Sequence, residues 1–80
     1  MAEREVQRLA KILGNSIVDR RNVLGMMQIE LANCLDMVPD VLSHIENGYV
    51  APLFNRIEEM TKVLDCSVTK FFREKNDSLK

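Results

Sequence analysis

The feature that most constrains this chain is an apolar spacing of three and four residues that recurs almost from end to end. Val6, Leu9, Ala10, Leu13 and Ile17 fall on one helical face, and the stripe runs on to Arg21 and Leu24. A first helix is expected over roughly residues 3–24. Gly14 is its weak point, since a mid-helix glycine costs about 1 kcal/mol relative to alanine, and it marks where the helix would bend or break. Gly25 suits a left-handed C-terminal cap.

The later segments repeat the pattern in shorter pieces. Ile29, Leu31, Ala32 and Leu35 predict a second helix over 28–35, followed by an Asp36-Met37-Val38 turn. Pro39 fits the first position of a third helix, 39–47, where its missing N–H costs nothing. Asp40 there favours the positive end of the helix dipole. Val41, Leu42 and Ile45 are its expected buried face, and Asn47-Gly48 its stop. After a Tyr49-Val50-Ala51 loop, Pro52 opens a fourth helix, 52–64, with Leu53, Ile57, Met60, Thr61 and Leu64 on one face. Asp65-Cys66 turns the chain, and Ser67 caps a last helix reaching about Arg73, anchored by Phe71 and Phe72. The expectation is an all-α domain of five helices over 1–73, with a polar, frayed tail over 74–80.

Composition agrees. Eighty residues allow one small core and no separate catalytic domain. The chain is 46% hydrophobic and 29% charged, which reads as globular. Three Gly and two Pro argue against a turn-rich β fold. No apolar run approaches the ~18 residues of a membrane span. The start, Met-Ala-Glu-Arg-Glu, lacks a signal-peptide apolar region, so a cytoplasmic protein is expected. Cys34 and Cys66 form no C-x-x-C and His44 is the single histidine, so no four-ligand zinc site is available. Both thiols are expected to be reduced and mostly packed. No nucleophile–base pair and no glycine-rich phosphate loop is present, so neither an enzyme nor a cofactor is expected.

The informative arrangement is the pair of short helices, 28–35 and 39–47, parted by three residues. That is the spacing of a helix-turn-helix, in which the first helix braces the second so that it can enter a DNA major groove. The run Gln28-Ile-Glu-Leu-Ala-Asn-Cys-Leu, then Leu42-Ser-His-Ile-Glu-Asn-Gly48, then Pro52, resembles the Cro/phage-repressor (XRE) helix-turn-helix family. Arg21 stands seven residues before Gln28 and Glu46 eighteen after it, both without a gap. Leu64-Asp-Cys-Ser-Val-Thr-Lys-Phe-Phe72 resembles the family's closing helix, so the likeness spans roughly residues 13–72. The fold implied is a five-helix Cro/repressor-like domain with an N-terminal extension of the first helix.

The resemblance also implies roles. Arg21 and Glu46 match a salt bridge joining the first and third helices, a task suited to a bidentate arginine–carboxylate pair. Gln28 and Asn47 match positions that touch DNA phosphates, although Asn47 is also explained as a helix stop. Pro39, Asp40, Ser43 and His44 match the base-reading positions. Base edges are usually read by Arg, Lys, Asn or Gln, so Ser43 and His44 are the plausible readers here and Asp40 could accept from cytosine. Met27 stands where the family carries a Ser or Thr cap, a loss of about 1 kcal/mol. Asp36 replaces the usual turn glycine, and Asp is among the better substitutes in a left-handed conformation.

Charge sets a limit on how such a domain would hold DNA. The net charge is −1. Between Asn22 and Asn55 there is no Lys or Arg, while Glu30, Asp36, Asp40 and Glu46 bring −4. Phosphates would be met from the periphery, by Arg20, Arg56 and Lys62, and by backbone N–H groups at helix starts. The leading expectation is a sequence-specific DNA-binding regulator, acting as a homodimer on an operator-like site. The alternative is an interaction module that keeps the fold and offers its acidic and apolar third-helix surface to a protein partner. Met37, Val38, Pro39 and Val41 would form that apolar patch.

Overall fold

A computed structural model describes residues 3–72, with the backbone alone for Glu3. Among the described residues there are five helices and no strand: α1 (Glu3–Val23), α2 (Gln28–Cys34), α3 (Pro39–Glu46), α4 (Phe54–Leu64) and α5 (Val68–Phe71). The all-α reading holds. The expected tail, 74–80, and Arg73 lie outside the described residues.

The first four helices end in the same way. One residue turns left-handed, and its own N–H and that of the residue after it fold back onto carbonyls of the last turn. The left-handed residues are Gly25 (φ 68°), Asp36 (φ 53°), Gly48 (φ 78°) and Asp65 (φ 56°). After α2, Asp36 N–H donates to Asn33 (3.1 Å) and Met37 N–H to Ala32 (2.9 Å). After α3, Gly48 N–H donates to Ile45 (3.1 Å) and Tyr49 N–H to His44 (2.9 Å). Carbonyls that a helix end leaves unpaired are thereby satisfied, and each short connection has a fixed exit direction.

The helices enclose one core. Leu13 and Ile17 come from α1, Leu31 and Ala32 from α2, Leu42 and Ile45 from α3, Ile57, Met60 and Leu64 from α4, and Phe71 from α5. Phe72 is half-buried and packs on this cluster. The Ser67 hydroxyl accepts the Lys70 N–H (3.3 Å), the expected cap of α5.

Several expectations are corrected. Gly14 neither bends nor breaks α1, which is continuous through it. It is instead where α1 meets the end of α3. A Cβ there would lie 2.5 Å from the Glu46 carbonyl oxygen and 2.6 Å from that of Ile45. Pro52 does not open α4. Leu53 is the N-cap, so the helix starts at Phe54 and the side chain of Leu53 points away from the core, 74% exposed. Val41 and Val6, each 44% exposed, are not core residues, and Ile29 is exposed as well. Met37 is the reverse case, partly buried against the core rather than in an exposed patch. α5 stops at Phe71. Cys34 is exposed, not packed, whereas Cys66 is half-buried and desolvation raises its thiol pKa, against the pull of Arg20 and Lys70.

Candidate nucleic-acid interface

The α2–turn–α3 unit is positioned by a polar knot at the back of α3. Glu46 occupies the last turn of that helix, its side chain 5% exposed. Arg21 reaches it from α1 in a two-point grip, Nε to Oε2 at 3.0 Å and Nη2 to Oε1 at 3.2 Å. The same guanidinium donates to the Met26 carbonyl (3.0 Å), tying down the α1–α2 connection. Gln28, at the start of α2, donates its amide Nε2–H to Glu46 Oε1 (2.8 Å). One carboxylate therefore fastens three helices, and the desolvation of its charge is offset by three charge-assisted hydrogen bonds.

The Arg21–Glu46 bridge that the resemblance implies is present. Gln28 is brought into it, so the residue matched to a phosphate contact has an internal hydrogen bond in this structure. The resemblance matches Gln28 to a phosphate contact and gives no sign of the knot. The spacing of Gln28 from Glu46 does not tell an inward amide from an outward one.

With Leu42, Ile45 and Glu46 facing inward, α3 presents Asp40, Val41, His44 and Asn47 to solvent. Asp40, His44 and Asn47 are four and three residues apart, so they share one face. Pro39 and Val38 stand exposed at its start, and Ser43 is half-buried on its flank. The His44 ring lies 6.0 Å from the ring of Tyr49, tilted by 47°. The structure thus brings Asp40, His44 and Asn47 together, with Ser43 beside them. Arg56 is apart from them, on α4.

The two peripheral arginines have an internal task that the sequence did not disclose. Arg56 Nη1 donates to the carbonyl of Leu35 (2.7 Å), the capping residue of α2, and to Glu59 (2.7 Å). Arg20 donates Nε–H to the Leu64 carbonyl (2.7 Å) and Nη2–H to that of Asp65 (3.0 Å). Each cation sits at the negative end of another helix, where a positive charge is favoured. Lys62 is exposed in the last turn of α4. A shallow groove lined by Cys34, Asp36, Arg56, Glu59 and Lys62 separates α4 from the end of α2. Among the described residues no cluster of His, Cys, Asp or Glu gathers three potential metal ligands, and no helix is long and apolar enough to cross a membrane.

No protein-family model matches the chain, and no curated protein matches it. Solved structures do. The crystal structure of ClgR, the clp gene regulator of Corynebacterium glutamicum, superimposes with a TM-score of 0.80 at 25% identity. The match covers 89% of this chain and 76% of that one. NHTF, a hypothetical transcription factor from Neisseria, gives 0.83 at 22% identity, over 92% of this chain and 85% of its own. This chain has the helix-turn-helix fold of those regulators. Neither neighbour is described as an enzyme.

Proposed function

We propose that this protein is a sequence-specific DNA-binding transcriptional regulator of the Cro/repressor type, working in the cytoplasm as a homodimer with α3 in the major groove. The observation that carries the reading is the construction of α3. Its inner face is clamped by the Glu46 knot, and its outer face offers Asp40, His44 and Asn47 along one line. The likeness to ClgR and NHTF supports the same reading.

Roles follow from placement. His44 donates or accepts at a base edge, and Ser43 does so from the flank. Asp40 accepts from a cytosine amino group and selects against acceptor edges. Asn47 reaches a phosphate, and Gln28 does so when its amide turns away from Glu46. Arg56 and Lys62 meet the backbone at the rim, Arg56 while it holds the end of α2.

Few cations are available for phosphates, so affinity is modest and two half-sites are needed to hold the protein on its operator. The test is binding to the upstream region of the protein's own gene at two salt concentrations. Saturable binding that depends on sequence and weakens with salt is expected. A folded sample that shows no binding at low salt overturns the reading.

A further inference from the structure

The first turns of α1 run out past the core. Residues 4–8 are all exposed, Val6 among them, and full burial begins only at Ala10. This overhang adds little to the packing of the isolated domain, yet its charges are ordered. Arg4, Arg8 and Lys11 are exposed and stand four and three residues apart, so they line one helical face. The three cations follow one another over about 10 Å of helix.

This stripe ends against α3. A Cβ on Gly48 would lie 2.7 Å from Lys11 Cγ and 3.0 Å from its Cα. α1 therefore crosses the stop of α3 in direct contact, and the stem of Lys11 rests on the backbone that follows Asn47. The Lys11 side chain lies along apolar and backbone surface while its ammonium stays in water, beside the end of the outer face of α3.

We propose that Arg4, Arg8 and Lys11 form a track for the phosphate backbone of duplex DNA, along a strand bordering the groove that α3 enters. The proposal rests on the DNA-binding reading above and adds to it a contact on α1, outside the helix-turn-helix. Three observations select a phosphate strand as the occupant. First, residues 4–11 carry three bases against Glu5 alone, whereas 22–55 carry four acids and no Lys or Arg. The exposed acids of that stretch, Glu30, Asp36 and Asp40, repel a polyanion, so the attraction has to come from an element beside it. Second, Arg20 and Arg56 commit donors to carbonyls at helix ends. Within the stripe, Arg8 meets Glu5 at 3.7 Å with both side chains about half exposed, and an exposed pair at that distance is weak enough to yield to a phosphate. Third, a duplex presents about one phosphate per 1.7 Å of its axis, so cations about 5 Å apart each find a partner.

Fluorescence anisotropy of the full chain, titrated from about 50 to about 200 mM salt, tests this with two labelled duplexes. One is the upstream region of the protein's own gene, and the other is an unrelated sequence of equal length. Arg4→Gln, Arg8→Gln and Lys11→Gln together keep good helix formers in α1, and circular dichroism should be unchanged. Losing three phosphate contacts should flatten the slope of log K against log salt by about 2–3 per bound protomer. Over that fourfold change in salt, the variant should lose about 40-fold less affinity than the wild type, and on both duplexes alike. Arg4→Lys, Arg8→Lys and Lys11→Arg together, which preserve charge, should restore the wild-type slope. Lys70→Gln removes an exposed cation from α5 and should leave the slope as it is.

A wild-type slope in the folded glutamine variant overturns the proposal. So does a failure of the charge-preserving variant to restore the slope, or an equal flattening per charge from Lys70→Gln. Weakening on the upstream duplex alone also overturns it, since a backbone track carries no sequence information. A chain that binds both duplexes equally, with a slope set by the stripe, sinks the regulator reading and leaves this one standing. Specific binding with a slope indifferent to the stripe does the reverse.

Discussion

The two sides of α3 obey different rules. On the inner side Leu42, Ile45 and Glu46 are buried, the backbone of the last turn rests on Gly14, and Arg21 and Gln28 hold the carboxylate. On the outer side Asp40, Val41, His44 and Asn47 stand in solvent. The residues matching the Cro/repressor pattern most closely, Arg21 and Glu46, belong to the inner side. The departures at Pro39 and Asp40 belong to the outer side. The inner side fixes where α3 is, and that leaves the outer side free to vary at little expense to the fold.

Removing Arg21 should break this division most severely. Arg21→Ala leaves the Glu46 side chain nearly sealed from water without its arginine, with Gln28 as its remaining named partner. Breaking a buried pair from one side costs about 3–5 kcal/mol, a large share of the roughly 5–15 kcal/mol that holds a domain together. Denaturant unfolding would show it, and an unchanged midpoint would remove the knot from the argument.

Gly14→Ala comes next. In an exposed helix interior this change gains about 1 kcal/mol. Here the new methyl lies 2.5 Å from one backbone carbonyl oxygen of α3 and 2.6 Å from another. Neither is the end of a flexible side chain, so α1 and α3 must separate. A loss of about 1–3 kcal/mol is expected. The sign alone decides between a helix that tolerates its glycine and a contact that requires it, and a thermal melt reads it directly.

What could be read in advance divides along similar lines. Helix stops were legible because each rests on local chemistry: Gly25, Asp36, Gly48 and Asp65 are residues that tolerate positive φ, and all four adopt it. The Arg21–Glu46 bridge was legible from the resemblance, because both residues keep the family's spacing from Gln28. Gly14 was misread because its role depends on the backbone of another helix, which no local pattern shows. The start of α4 slipped because Pro52 suits both the first turn of a helix and the residue before the cap. The slip turned Leu53 from an exposed residue into an expected core residue. Arg20 and Arg56 were assigned to phosphates because charge is visible in sequence, whereas the helix end each one caps lies 44 and 21 residues away. The outer face of α3 was legible as an exposed surface, while the inward hydrogen bond of Gln28 was not.

A smaller effect, of opposite sign, is expected at the start of α2. Met27 is the N-cap and makes no side-chain cap bond, yet the Glu30 carboxylate already accepts the Met27 N–H at 2.7 Å. Half of a capping box is in place. Met27→Ser should complete it by accepting from the third residue of the helix. Because Met27 is 64% exposed, little apolar burial is lost. Stability should rise by about 1 kcal/mol. No gain in denaturant midpoint would mean that the exposed methionine contributes packing its exposure does not suggest.

The smallest effect on stability is expected where the effect on function should be greatest. His44 is exposed on the outer side of α3, with the Tyr49 ring 6.0 Å away. His44→Ala should leave unfolding within about 0.5 kcal/mol of the wild type, as substitutions on such surfaces usually do. On the operator, loss of one base-edge contact per protomer should weaken binding by about 1–3 kcal/mol per half-site and leave binding to unrelated DNA unchanged. The comparison between the two duplexes is what matters. A uniform weakening on both would make His44 a backbone contact, and base reading would pass to Ser43 and Asp40. A change in stability equal to the change in binding would mean that the two sides of α3 are not independent, and that the fold depends on the face assigned here to recognition.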